Sequence, residues 1–413
     1  MPRIGLQTEC PAFPRSPVRN YMTRSIKIFQ TTALAASTAL AACGGGSESS
    51  SPSGTMRLAL TDAPACGFDR VDVTVEKVRV HQSNSANEGD SGWSEVVLQP
   101  AKRVDLLSLT NGALVELGQT PLPAGKYTQM RFVLSPNNAA NPLANSVTPT
   151  GGNETAVSTP SGAQSGLKMN VDIEVEANKV ADFALDFDTC RSFVRLGNGG
   201  YLLKPVIAVI PRLADVARVT GQVALPIATT ATSVSLQLNG EPVRSTPPDS
   251  AGKFVLYPVP VGVYDLVVTA PGRATATITG VPVTATASTT VNLASAPIDP
   301  PASAMRSASG AISTGASPID AVAGVTKQYV GGPTVSVARA PVNGTTGAFS
   351  FSLPASAPIR TAFAASAPSL AFTTDTGMPT GKYTLVGKAD VTVKTLEFDV
   401  SLIDFVVPAW AFP

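Results

Sequence analysis

Two runs of acidic residues at even spacing are the first candidates for chemistry in this sequence. The runs consist of Asp172, Glu174 and Glu176, and of Asp182, Asp186 and Asp188. Each run alternates with other residues, so its carboxylates share one face of a predicted strand. Two such strands side by side could offer calcium a cage of oxygen ligands. The solvent-exposed faces of two half-buried strands would give the same pattern, and no EF-hand loop accompanies it. The candidate metal ligands are therefore Asp172, Glu174, Asp186 and Asp188, and calcium is the one cofactor left open.

The single histidine, His81, is followed closely by Ser83, Ser85 and Asp90. A Ser-His-Asp triad needs a spatial arrangement that closeness along the chain does not supply, and a Gly-x-Ser-x-Gly elbow is absent. A glycosidase needs two carboxylates at a defined separation, which the sequence does not specify. P-loop, dinucleotide and zinc-protease motifs are also missing. We expect a protein without enzymatic activity, and a glycan-active enzyme is a remaining alternative.

Trp93 is the candidate contact for a glycan. It follows a loop rich in Gly, Ser and Asp, where an exposed indole could stack on a sugar. The succession from Trp93 to Leu98 also suits a strand with the indole packed at its start. The sequence is compatible with both an exposed and a packed indole.

The N-terminal region reads as an export signal that starts at Met22. Arg24 and Lys27 precede an apolar stretch that is too short to span a bilayer. The stretch ends in Leu40-Ala41-Ala42-Cys43, which resembles the lipobox of bacterial lipoproteins. That resemblance implies acylation of Cys43, which then becomes the mature N-terminus, and Gly44 after it favours the outer membrane. Alternatively, Cys43 is an ordinary residue after a cleaved signal or in a short anchor helix. Residues 1–43 form this signal region, and 44–55 form a flexible Gly/Ser tether.

Cys66 and Cys190 are the remaining thiols of an exported chain, and each lies beside a predicted strand of the same unit. A disulfide between them would close a loop of about 125 residues and contribute a few kcal/mol. A reactive thiol pair is the alternative, but a CxxC arrangement is absent.

Composition favours folded β domains. Among the 413 residues, 44% are hydrophobic and 14% are charged, and a net charge of +1 gives no field to attract nucleic acid. The chain contains 34 Gly and 35 Pro among short apolar runs, which favours many strands and turns.

Period-two apolar patterns predict three antiparallel β-sandwiches in tandem. They occupy 56–213, 216–295 and 305–413, with a stiff Pro-rich linker at 296–304. The run Val71 to Val80 changes phase near Glu76 and Lys77, which predicts a β-bulge. Residues 202–210 read as one covered strand, and 137–166 as a long insertion.

A Pro-x-Gly-x-Tyr pattern opens one strand in each sandwich, at Pro123 to Tyr127, Pro260 to Tyr264 and Pro379 to Tyr383. Tyrosines at the start of a strand usually pack in the core or at a corner. We interpret the pattern as a shared structural device, although tyrosines that line a sugar site would give the same spacing.

Two family resemblances extend this interpretation. Leu60-Thr61-Asp62-Ala63-Pro64, Leu122 to Tyr127 and Leu202-Leu203-Lys204-Pro205 resemble domain of unknown function 4382, over about 56–211. The second sandwich resembles carboxypeptidase-regulatory or transthyretin-like modules, and the third resembles them less closely, so the fold implied is of the immunoglobulin or transthyretin type. The first resemblance implies a bacterial, usually lipid-anchored envelope protein, and the second a small non-catalytic module.

These observations predict a lipid-anchored protein of the bacterial outer membrane with a structural or adhesive role. A carbohydrate-binding module for polysaccharide or envelope glycan is the first alternative, and a calcium-dependent binding protein is another. The expected partners are the membrane, through the N-terminal lipid, and a polysaccharide or envelope protein.

Overall fold

The computed structural model describes residues 52–62, 67–160, 162, 165–212, 217–365, 369–377 and 380–413. These residues belong to one compact unit, Ser51–Pro413. The predicted signal region, Cys43 and Cys66 lie outside the described residues. Within the described ranges, no helix has the length and apolar character needed to cross a membrane.

The first sandwich packs a four-stranded sheet against an eight-stranded sheet, and its one α-helix is a single short turn. Its elements are β1 (Ser53–Asp62), β2 (Phe68–His81), β3 (Ser94–Asp105), β4 (Val115–Pro123), β5 (Gly125–Leu134), β6 (Ser146–Pro149), β7 (Thr155–Ser158), β8 (Leu167–Val175), β9 (Val180–Phe187), α1 (Thr189–Ser192), β10 (Phe193–Arg195), β11 (Tyr201–Leu203) and β12 (Ile207–Pro211). The smaller sheet has the order β12-β9-β1-β4, and the larger has the order β10-β11-β7-β6-β2-β5-β8 with β3 paired to β2. Apolar residues of β1 and β2 fill the space between the sheets.

The predicted bulge in β2 is confirmed. The pairing of β2 with both β3 and β5 shifts register between Val75 and Lys77. The extra residue lets Val78 and Val80 point into the core although their phase differs from that of Val73 and Val75.

Two predictions about the first sandwich need correction. Residues 202–210 form two strands in different sheets, β11 and β12, because the chain leaves one sheet at Lys204 and Pro205 and enters the other at Ile207. The insertion 137–166 contains β6 and β7, which extend the larger sheet. Buried Asn145 anchors the insertion, since its Oδ1 accepts a hydrogen bond from the Thr74 backbone at 3.0 Å and its Nδ2 donates one to the Ser135 carbonyl at 2.7 Å.

The second sandwich pairs a three-stranded sheet with a six-stranded sheet. Its own strands are β13 (Val219–Gln222), β14 (Ser233–Leu238), β15 (Glu241–Thr246), β16 (Lys253–Leu256), β17 (Gly262–Thr269), β18 (Ala276–Val283) and β19 (Thr289–Thr290). The orders are β16-β13-β19 in the smaller sheet and β15-β14-β17-β18 in the larger, which two later strands extend. The segment 296–304, predicted as a linker, lies against this sandwich: Ile298 is buried in its core, and Pro301 O accepts a hydrogen bond from Ala274 N at 2.9 Å.

The third sandwich packs two four-stranded sheets. The strands of this part of the chain are β20 (Met305–Ser313), β21 (Ala321–Gln328), β22 (Thr334–Pro341), β23 (Ala348–Pro354), β24 (Ile359–Ala362), β25 (Thr373–Thr374), β26 (Lys382–Ala389), β27 (Thr392–Asp399), β28 (Phe405–Val406) and β29 (Trp410–Ala411). One sheet has the order β23-β20-β28 with β29 also on β20, and the other has the order β22-β21-β26-β27. β24 and β25 leave this sandwich and extend the larger sheet of the second, where β24 runs parallel to β18. The all-β sandwich prediction is therefore confirmed.

The Pro-x-Gly-x-Tyr pattern is a structural corner in the first two sandwiches. The Tyr127 hydroxyl donates to Pro123 O at 3.0 Å, and the Tyr264 hydroxyl donates to Pro260 O at 2.8 Å. A Cβ at Gly262 would lie 3.1 Å from the Tyr264 hydroxyl oxygen, so glycine leaves room for the ring. In the third sandwich, buried Tyr383 donates instead to Pro354 O at 2.7 Å, and Pro379 lies outside the described residues. Packing of these tyrosines in the core is confirmed.

Candidate functional site

Trp93 is half-buried at the start of β3. Its Nε1 donates a hydrogen bond to Asn87 O at 2.9 Å. The guanidinium carbons of Arg79 and Arg131 lie 4.6 and 5.2 Å from the centre of the indole, and the His81 ring lies 5.1 Å from it. The indole is thus packed by two cationic groups, which a stacked sugar would have to displace.

Backbone groups are hydrogen-bonded to both ring nitrogens of His81. The Ser83 backbone N–H donates to Nδ1 at 2.9 Å, and Nε2 lies 3.0 Å from Ser91 O. The Ser83 and Ser85 hydroxyls hydrogen-bond to each other at 2.9 Å. The imidazole therefore fixes the turn after β2, and the structure does not bring it to a serine hydroxyl as a triad requires.

The two acidic runs do not meet, because β8 and β9 belong to different sheets. Asp172 forms an ion pair with Lys126 at 2.9 Å, and Glu174 is exposed on the same strand. Asp186 pairs with Arg244, and Asp188 caps α1. Among the described residues, no group of three or more His, Cys, Asp or Glu side chains is placed to hold a metal ion. The described residues therefore do not bring the two runs side by side, which was the arrangement that could have offered calcium a cage.

Cys190 lies in α1, next to Asp188 and at the wall of the cleft described below. Cys66 lies outside the described residues, so its pairing with Cys190 stays a prediction.

The first and second sandwiches meet through buried polar contacts. The Arg244 side chain is 2% exposed and bonds to both Asp186 and the Thr61 hydroxyl of the first sandwich. Asn111 adds two further bonds: its backbone N–H donates to the Thr246 hydroxyl at 2.8 Å, and its Oδ1 accepts from the Val255 backbone at 3.0 Å.

The second and third sandwiches share a strand and a side-chain bridge. β24 joins the sheet of the second sandwich and places Ile359 in its core. The buried Gln237 amide donates to Ser336 O at 2.8 Å and accepts from Ser336 N at 2.7 Å. It thus takes the place of a neighbouring strand at the edge of β22.

The first and third sandwiches also touch. Gly344 N donates to Arg195 O at 3.0 Å, and Lys204 forms an ion pair with Asp320 at 2.7 Å. Each sandwich therefore contacts both others, and the described residues form a closed group of three rather than a linear array.

A cleft of about 360 Å³ lies where the three sandwiches meet. Three strands at sheet edges contribute to its walls: β12 of the first sandwich, β15 of the second and β22 of the third. Its volume falls in the range of about 300–1,000 Å³ that is usual for small-ligand pockets. A smaller pocket of about 170 Å³ lies between the second and third sandwiches alone, whereas this cleft is lined by all three and is the candidate functional site.

Charged groups of opposite sign alternate around the cleft. Besides Arg244 and Asp186, they are Arg339 paired with Glu241, and Arg191, whose Nη1 lies 3.9 Å from Asp188 Oδ2. Burial raises the pKa of Asp188 above its ordinary value, while the nearby guanidinium groups of Arg191 and Arg339 oppose that rise. Among the described residues that line the wall there is no histidine and no aromatic side chain. This chemistry suits binding through charge and hydrogen bonds better than acid–base catalysis.

Reasoning from the sequence did not find this cleft. Ser233, Ser235 and Gln237 alternate with apolar Val234 and Leu236, which is the ordinary pattern of a half-buried strand. Nothing in the pattern indicates that another sandwich covers the polar face. Arg244 and Arg339 carry no motif either, because their role depends on contacts between separate sandwiches.

The comparisons with known proteins concern the fold. No curated protein matches the chain. Among solved structures, a type II cohesin–X-dockerin complex from Acetivibrio cellulolyticus is similar over 21% of this chain and 58% of that chain, with 23% identity and a TM-score of 0.18. The Bacillus anthracis TIE protein is similar over 87% of this chain and 50% of that chain, with 12% identity and a TM-score of 0.16. A streptococcal ancillary pilin is similar over 86% of this chain and 98% of that chain, with 12% identity and a TM-score of 0.15.

The chain thus spans about half of the length of each of the first two of these proteins. The first sandwich is the part with a family match: residues 53–205 fit the model of the family described as "Domain of unknown function (DUF4382)".

Proposed function

We propose that this chain is a lipid-anchored protein of the bacterial outer membrane with a non-enzymatic, structural or adhesive role. The observation that carries the proposal is the mutual locking of the three sandwiches. Buried Arg244 and Gln237 each use their polar groups to hold a neighbouring sandwich. Such contacts favour a rigid block over a set of independently moving modules.

The sequence supports the anchor. Cys43 follows an apolar stretch preceded by Arg24 and Lys27, and the Gly/Ser-rich residues 44–55 would separate the acylated end from the folded block. Several acyl chains, at about 0.8 kcal/mol per buried methylene, hold a protein on a membrane without a transmembrane helix.

The non-enzymatic part of the proposal is supported by the state of the carboxylates in the cleft. Asp186 is bound to Arg244, and Asp188 caps α1 by accepting a hydrogen bond from Arg191 N at 3.1 Å. A glycosidase needs one carboxyl group to act as an acid and a second to act as a nucleophile or base, and both must be free to face the substrate.

Replacement of Cys43 tests the anchor. The full chain and its Cys43→Ser variant would be expressed in a Gram-negative bacterium and labelled with a palmitate analogue. We expect label and outer-membrane fractionation for the wild-type chain, and neither for the variant. Ser47→Ala in the tether is the matched control and should behave as wild type. Labelled, membrane-bound Cys43→Ser protein would contradict the proposal.

Glycan binding is the second candidate, and the cleft is the observation that favours it. Trp93 is already packed by Arg79 and Arg131, whereas the cleft offers hydroxyl, amide and guanidinium groups in one concave wall.

A further inference from the structure

The three arginines of the central cleft differ in how firmly they are held. Arg244 is buried and bound to Asp186, so it is part of the structure. Arg339 is 24% exposed and pairs with Glu241, whose side chain is 76% exposed, and ion pairs that are open to solvent are held only weakly. Arg191 is 35% exposed, and its 3.9 Å separation from Asp188 is too long for a hydrogen bond. Arg191 and Arg339 are therefore available to an incoming anion at little cost.

Both available guanidinium groups line the same cleft, although they come from different sandwiches. Arg191 Nη1 lies 3.9 Å from Asp188 Oδ2 at the wall of this cleft. A guanidinium group binds a carboxylate through two parallel N–H···O bonds, which suits a planar carboxylate better than a point charge. Arg191 and Arg339 can thus both offer N–H donors to a ligand carboxylate in the cleft, Arg339 once Glu241 swings into solvent.

The other side chains of the cleft wall suit a ligand that carries many hydroxyl groups. Thr230, Ser233 and Ser245 offer hydroxyl groups that both donate and accept hydrogen bonds. Ala208 and Val337 supply small apolar surfaces for the carbon–hydrogen faces of a ring. The part of the wall that the structure describes has no aromatic side chain, so a flat aromatic ligand would gain little stacking on it.

We propose that the cleft between the three sandwiches binds an acidic saccharide, with the sugar carboxylate on Arg191 and Arg339 and the ring hydroxyls on β14 and β15. The site deepens the second candidate function above and does not depend on the lipid anchor. Loss of anchoring in the Cys43 experiment and loss of binding here would therefore be separate results.

Isothermal titration calorimetry on the full chain in detergent tests the site, with digalacturonate as the probe. Galactobiose controls for the sugar without the carboxylate, and citrate controls for carboxylate without the sugar. We expect digalacturonate to bind at least tenfold more tightly than either control. Arg191→Gln and Arg339→Gln should each weaken binding at least tenfold, whereas Arg57→Gln, which removes an exposed guanidinium outside the cleft, should leave it unchanged.

A variant that binds more tightly than wild type separates a loss of binding from a loss of folding, because a misfolded protein would not gain affinity. Glu241→Gln removes the carboxylate that competes for Arg339, so this variant should bind digalacturonate severalfold more tightly than wild type. Equal binding of galactobiose or of citrate, an unchanged affinity in both arginine variants, or no heat of binding at millimolar digalacturonate would each overturn the proposal.

Discussion

At the scale of single residues, Asp188 caps a helix through its carboxylate although this group is half-buried at the wall of the cleft. Its carboxylate accepts a hydrogen bond from Arg191 N at 3.1 Å and caps α1, yet it lies where burial disfavours charge. Burial raises the pKa of Asp188 above its ordinary value, with Arg191 and Arg339 opposing the rise. The ionised form therefore costs folding free energy at neutral pH.

The sign of this effect can be measured. Between the ordinary aspartate pKa and the raised pKa of Asp188, the folded chain binds more protons than the unfolded chain, so stability falls as pH rises through that window. Asp188→Asn keeps the cap, because an amide oxygen also accepts from Arg191 N, and it removes the titration. We expect the unfolding midpoint of Asp188→Asn to fall less than that of wild type from about pH 4 to neutral pH. Parallel pH profiles for the two proteins would contradict this.

At the scale of elements, some strands were predictable and others were not. The bulge in β2 follows from a phase change that is visible in the sequence, and the tyrosine corners follow from a repeated local pattern. The break between β11 and β12 was missed because Leu202 to Ile210 is largely apolar on both sides of Lys204 and Pro205. Local pattern does not reveal a change of sheet.

The position of β24 in the second sandwich could not be predicted from the order of the strands along the chain. It lies between two strands of the third sandwich along the chain, yet it pairs with β18 and fills the core of the second. Ile359→Ala should therefore destabilise the second sandwich by about 2–5 kcal/mol, because a buried side chain is lost from its core. Hydrogen exchange would locate the effect in peptides of β17 and β18.

Val406→Ala is the matched control for that substitution. The Val406 side chain is 75% exposed, so its loss should change stability by less than about 0.5 kcal/mol. Faster exchange confined to the third sandwich in Ile359→Ala would show that β24 does not support the second.

At the scale of the whole molecule, contacts between the three sandwiches hold them together and shape the cleft. Three all-β units were predictable from period-two patterns and turn residues. Their closure into one group was not, because it depends on Arg244, Gln237 and Asn111, which look like ordinary polar residues of strands and turns. The same contacts shape the cleft, so the candidate site was also beyond local pattern.

The central claim, that the sandwiches form one locked block, is tested most directly by calorimetric unfolding of wild type and Arg244→Ala. Removing Arg244 leaves Asp186 without its ion-pair partner, whereas the Thr61 hydroxyl still donates to Ala113 O at 3.2 Å. Breaking one side of a buried ion pair costs about 3–5 kcal/mol. Arg57→Ala is the control: the Arg57 side chain is 45% exposed, and Asp182 keeps its ion pair with Arg212 at 3.0 Å, so the cost should stay within about 1 kcal/mol. We predict that the first and second sandwiches unfold together in wild type and separately, at lower temperature, in Arg244→Ala. Separate transitions in wild type that Arg244→Ala leaves unshifted would contradict the account.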